Sequence, residues 1–160
     1  MKSIKTELKW AIIFILMSMA WIYVEKMTGL HDENIAQHLI YTNLFAIPAI
    51  LVYIFALREK KKNYQHSFTY KKSFLSGLIL SLMIALLAPL STFMSVEYIS
   101  PNFFSNIIAY SVENEIMTQT AALEEFNTQS YMLNSLMFSP IFGIVTTAIV
   151  AIFVRDKKKN

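Results

Sequence analysis

Cysteine is absent from the 160-residue chain, which excludes disulfides, thiol nucleophiles and thiolate metal centres. Glycine is nearly absent too: Gly29, Gly77 and Gly143 stand far apart, so there is no glycine-rich loop to cradle a phosphate. Charge is scarce, with Asp, Glu, Lys and Arg making 16% of the chain where a soluble domain carries about 25%. Hydrophobic residues make up 55%, and they fall in long runs rather than scattered. A soluble domain this small has too few remaining residues to wrap such runs on every side, so the composition places the chain in a membrane.

The run 74–96 holds twenty-three residues without a charge, more than the roughly 20 needed to cross a ~30 Å hydrocarbon core. Three further runs qualify, giving expected spans at about 8–28, 35–57, 74–96 and 132–154 within a single transmembrane domain covering 1–160. Trp10, Trp21 and Tyr23 sit near the ends of the first run, as interfacial aromatics do. The first run also has the order of a secretory signal, with a cleavage-like Ser18-Met19-Ala20. Apolar residues continue past that point through 21–24, which predicts retention as a helix. Gly29 suits the left-handed residue that ends a helix and Asp32 suits the N-cap of the next, so the first two spans form a hairpin.

Lys and Arg are distributed very unevenly. The N-terminus, the 58–73 loop and the C-terminal tail hold thirteen of the fourteen, against Lys26 alone on the other side, which carries eight of the eleven acids. The positive-inside rule then puts both termini and the 58–73 loop in the cytoplasm. These basic residues are accounted for by topology, so no nucleic-acid partner is inferred. The expected fold class is an all-α integral membrane four-helix bundle with an additional amphipathic helical segment on the outer side, 97–131, between spans 3 and 4. Ser100-Pro101 reads as its start signal. One or two helices there would set Asn102, Asn106, Glu113, Thr120 and Glu124 on a polar stripe opposite Phe103, Ile107, Tyr110, Met117 and Ala121.

Small residues recur at every fourth position in two spans: Ser73, Gly77, Ser81 and Ala85, then Ser139, Gly143, Thr147 and Ala151. Lipid offers no hydrophobic force to bring helices together, so such ridges predict close antiparallel packing of the third and fourth spans, with homo-oligomerisation as the competing use. Pro48, Pro89 and Pro140 are expected kinks, each removing a backbone donor.

Chemistry at membrane depth needs ionisable or strongly polar groups, and the candidate nucleophiles in the four uncharged cores are hydroxyls. Ser18, Ser76, Ser81, Ser91, Thr92, Ser139, Thr146 and Thr147 are each expected to return a hydrogen bond to their own helix. The three histidines lie in loops or at a helix end, where none can serve these hydroxyls as a base, so no catalytic residue and no cofactor is inferred. His31, Asp32, Glu33 and His38, with Glu25 nearby, are the candidates for a transition-metal site. They offer acceptable zinc or nickel donors at a spacing that matches no tight ligand motif. Glu113, Glu115, Glu124 and Glu125 could bind a divalent cation or a basic partner, and read first as a wet acidic face.

The basic loop and its approach to a Gly-containing third span, LREKKKNYQHSFTYKKSFLSGLILSLM, resemble a family of small bacterial membrane proteins defined by a domain of unknown function (number 4199). The long outer segment and the last span with its basic tail, SPIFGIVTTAIVAIFVRDKKKN, carry the same resemblance. It implies four helices in a bacterial cytoplasmic membrane and supplies no activity and no site residue. The expectation is a non-enzymatic multi-pass protein acting as an envelope interaction or accessory subunit, in contact with lipid and with a protein partner at 102–126. A small oligomeric transporter or pore hinged at the three prolines is the alternative, and a metal-dependent enzyme at the outer surface a third reading.

Overall fold

The computed structural model describes residues 4–64 and 67–156; Lys2, His66 and the tail lysines 157–159 lie outside them. The chain is all-helical there, and four of its helical stretches, Lys5–Met27, Ile35–Lys62, Tyr70–Ile99 and Thr128–Val154, are long and apolar enough to cross a membrane. Helix α1 is Lys5–Met27. Gly29, at φ +76°, turns the chain back by accepting the amide of Asn34 at 2.8 Å. A Cβ there would lie within 3 Å of Glu33 Oε1 and Asn34 Nδ2, so the left-handed turn and the crowding both call for glycine.

The second long stretch is built in pieces. A 3₁₀ turn at Ile35–Gln37 leads into α2, His38–Tyr41, then a 3₁₀ turn at Thr42–Phe45 leads into α3, Ala46–Lys62. Pro48 is the third residue of α3, where the missing N–H would have sought Leu44. The chain upstream winds into 3₁₀ form instead, so the irregularity lies before the proline, at 42–45. Helix α4, Tyr70–Met94, continues into a π turn at Ser95–Ile99, whereas α7, Thr128–Val154, runs unbroken; Pro89 and Pro140 lie inside them. Between them stand α5, Phe103–Glu113, and α6, Gln119–Glu125. Glu115 breaks the amphipathic segment into these two helices with φ +55°, a conformation costly for a residue with a Cβ.

Helix α4 touches all three other long helices, and its contact with α7 is the most extensive in the fold. The small-residue ridges explain the closeness. A Cβ on Gly77 would collide with Thr147 and one on Gly143 with Ser81 and the Tyr53 hydroxyl. Each glycine of one helix thus receives a hydroxylated side chain of the other, and both ridges are used within the chain. The apolar core groups Ala11, Tyr53, Leu57, Phe68, Leu80, Ile84 and Val150. Large apolar side chains also cover the outside, Leu86 being 76% and Phe153 81% exposed, a surface suited to lipid and costly in water.

The lysine-rich end is closed by ion pairs that connect helices far apart in sequence. Glu7, only 2% exposed, takes Lys60 Nζ at 2.8 Å and the Ser76 hydroxyl at 2.7 Å, joining α1, α3 and α4. Both residues lie in the charged flanks of the spans, and their opposite signs and the surrounding apolar helices bury them as a pair. Asp156 accepts Lys61 at 2.8 Å and the Phe68 amide at 2.6 Å, while its own amide donates to Phe68 at 3.0 Å. The Lys61 hydrogen bond, then the Phe68 amide, hold the exposed Asp156 carboxyl below the usual carboxylate range.

Candidate functional site

The opposite end of the bundle also has a polar interior. It starts from α1, whose last turn presents Glu25 inward; the Trp21 indole, one turn earlier, donates to Glu25 Oε1 at 2.6 Å. The tight reversal at Gly29 returns His31 to the carboxylate six residues behind it, and His31 Nε2 lies 3.3 Å from Glu25 Oε2. The other ring nitrogen, Nδ1, is 2.9 Å from the hydroxyl of Ser100, which follows the π turn. His38, opening α2, sets its ring 5.2 Å from that of His31 at 65°. Glu25 and His31 are each 3% exposed.

Helix α5 covers this group. Phe103 packs its ring 4.8 Å from His31 and 5.0 Å from His38, on an apolar seat with Ile35 and Ile107 that Tyr131 of α7 completes. Two polar ties fix the cover: Asn106 Nδ2 donates to the His31 carbonyl at 2.8 Å and to Asp32 Oδ1 at 2.7 Å, and Lys26 Nζ donates to the Ile99 carbonyl at 2.6 Å. Under the cover lies a cavity of about 180 Å³ walled by Glu25, His31, His38, Ser95, Ser100 and Tyr131, among others. Two buried polar atoms of that wall, His38 Nδ1 and Ser95 Oγ, have no hydrogen-bond partner among the described residues. Such groups cost about 1–3 kcal/mol each.

The four sequence candidates therefore divide. His31 and His38 come together, whereas Asp32 and Glu33 are exposed, and Glu25 takes their place as the carboxylate. Asp32 is not an N-cap: the turn begins after Asn34, and the Asp32 carboxylate holds Asn106. Nor does Ser100 cap α5, which starts after Asn102; its hydroxyl serves His31. Ser100, Phe103 and Tyr131 join the site through contacts some seventy residues or more away from His31, and no local signal marks them. The Trp21 and Glu25 pair is a partial exception, since an i, i+4 spacing places both on one helix face.

Elsewhere the hydroxyls behave in two ways. Ser18 and Ser81 donate back to their own helices at 2.7–2.8 Å, as expected, and so does Ser135, whereas Ser91 meets the Ser18 hydroxyl across helices at 3.2 Å. Ser76 instead serves Glu7, and Thr147 Oγ1 is buried at the α4–α7 contact with no partner among the described residues. Glu113, Glu115, Glu124 and Glu125 are exposed on α5, α6 and the bend between them.

Comparison with known proteins gives one match: residues 9–156 fit the family described as Protein of unknown function (DUF4199). No curated protein and no solved structure matches the chain.

Proposed function

The chain belongs to the DUF4199 family, and from that premise we propose that it is a non-enzymatic accessory protein of a bacterial cytoplasmic membrane that engages a basic protein partner. Both termini and the loop after α3 face the cytoplasm, and α5 and α6 face outward. The observation that carries this reading is the cover itself. A stretch longer than any connection between helices requires is folded into two helices and tied to the hairpin by Asn106 and Lys26. It presents Glu113, Glu115, Glu124 and Glu125, with Ile116 and Leu123 exposed among them. An apolar pair rimmed by like charges suits a partner with an apolar contact and a basic rim. The strongly one-sided distribution of Lys and Arg supports the orientation.

The test is a photo-crosslinking residue placed at Ile116 or Leu123 in living cells, with Phe153 on the lipid-facing side as the reference position. A discrete protein adduct from the first two positions, lost when the four glutamates are changed together to glutamine, is the expected result. Adducts indistinguishable from those at Phe153, or unchanged by the glutamine substitutions, would remove the reading.

A further inference from the structure

We propose that Glu25, His31 and His38 bind a divalent transition-metal ion of the zinc class. Among the described residues, theirs is the only cluster of three or more potential metal ligands, with one donor atom from each residue lying within 4.8 Å of the other two. Two imidazoles and one carboxylate suit Zn²⁺, Co²⁺ or Ni²⁺, whereas Ca²⁺ and Mg²⁺ prefer all-oxygen sites.

The internal spacing fits an ion site. Bonds of ~2.0–2.1 Å in a tetrahedron set neighbouring ligand atoms roughly 3.3–3.4 Å apart. A charge-assisted N–H···O hydrogen bond would draw the same atoms to about 2.7–2.9 Å. Glu25 Oε2 and His31 Nε2 stand at 3.3 Å, a long hydrogen bond whose length also fits the edge between two ligands. The surroundings prepare both groups. The Ser100 hydroxyl at Nδ1 fixes the His31 ring with Nε2 turned to the carboxylate, and the Trp21 indole occupies Oε1, leaving Oε2 as a one-oxygen ligand. Outer partners of this type orient the ligands in metal sites generally.

His38 supplies the third donor. It is half-buried and carries an unpartnered ring nitrogen, so joining the ion costs it no existing hydrogen bond at Nδ1. Closing to a common ion needs only a shift of about 1.5 Å by His38, within the reach of a side-chain rotation. Three protein ligands leave a fourth position, which faces the cavity and takes water or a small anion. The ion would clasp α1, the Gly29 turn and α2, beneath the Phe103 ring. Metal binding is independent of which partner the cover meets, so a negative cross-linking result leaves this inference standing.

The test uses the full chain without a polyhistidine tag, stripped with chelator and held in lipid nanodiscs. Zn²⁺ is titrated by competition with a chromophoric chelator, and Co²⁺ by its visible absorption, whose intensity reports four-coordination. One equivalent per chain is expected, weakened at least tenfold by Glu25→Gln and by His38→Gln, with Asp32→Asn, Glu33→Gln and His66→Ala unchanged. Since Glu25→Gln alters a buried carboxylate on which folding can depend, the half-buried His38→Gln, checked by helical circular dichroism, decides the matter. Absence of micromolar binding in the parent chain overturns the proposal, as does binding that folded His38→Gln leaves intact or that His66→Ala removes equally.

Discussion

The α4–α7 contact can be tested by a single carbon atom. In Gly77→Ala the new Cβ would lie less than 3 Å from three atoms of Thr147, which is fully buried and β-branched and so has no rotamer that clears them all. Overpacking of this kind costs about 1–3 kcal/mol, and the better helix propensity of alanine returns roughly 1 kcal/mol, so the single variant alone gives an ambiguous net change. A double-mutant cycle with Thr147→Ala removes the ambiguity, because propensity cancels and the collision does not. Thr147→Ala deletes the two closest atoms, so Gly77→Ala should be stabilising, or nearly neutral, in that background. The expected coupling is about 1–3 kcal/mol. Denaturant unfolding in detergent micelles, followed by the fluorescence of Trp10 and Trp21, supplies the four free energies. Effects that add within about 0.3 kcal/mol would refute the claim that these two residues fill one another's space.

The buried ion pair makes a second prediction: Glu7→Gln or Lys60→Met alone should cost about 3–5 kcal/mol, and Glu7→Leu with Lys60→Met should recover most of the loss, measured by the same unfolding. At Asp156 the folded-state carboxyl titrates below its unfolded value of 3.8, so its tie to Phe68 is fully present above that value and lost as pH falls through the lowered folded one. Hydrogen exchange of the Phe68 amide, corrected for its intrinsic pH dependence, should therefore speed up below the usual carboxylate range, and Asp156→Asn should abolish that step.

Four long helices are legible from the sequence because uncharged runs of this length have few other destinations. Their ends are not, since backbone hydrogen bonding does not stop where apolar side chains do. Helix α3 carries on through Lys62 and α4 begins at Tyr70, which leaves a connection shorter than the expected 58–73 loop. Near these ends the Lys61 ammonium reaches the Val154 carbonyl at 2.9 Å, so a basic residue can extend a helix and still find an acceptor. The burial of Glu7 with Lys60 could not be read locally, because the partners are fifty-three residues apart and each looks like an ordinary flanking charge. The histidine cluster is the intermediate case. Both rings were candidates by residue type, but which carboxylate joins them depends on the sense of the Gly29 turn, which brings Glu25 in and leaves Asp32 and Glu33 outside. The cover over them depends on the seat formed by Ile35, Phe103 and Ile107, a pairing of distant segments that no helical period reveals.

The chain's lack of cysteine makes the orientation directly measurable. In intact bacterial cells, an impermeant maleimide should label Glu115→Cys, on the bend between α5 and α6. Asn63→Cys, just beyond α3, should react only after the membrane is opened. Labelling of both positions from the same side would contradict the account.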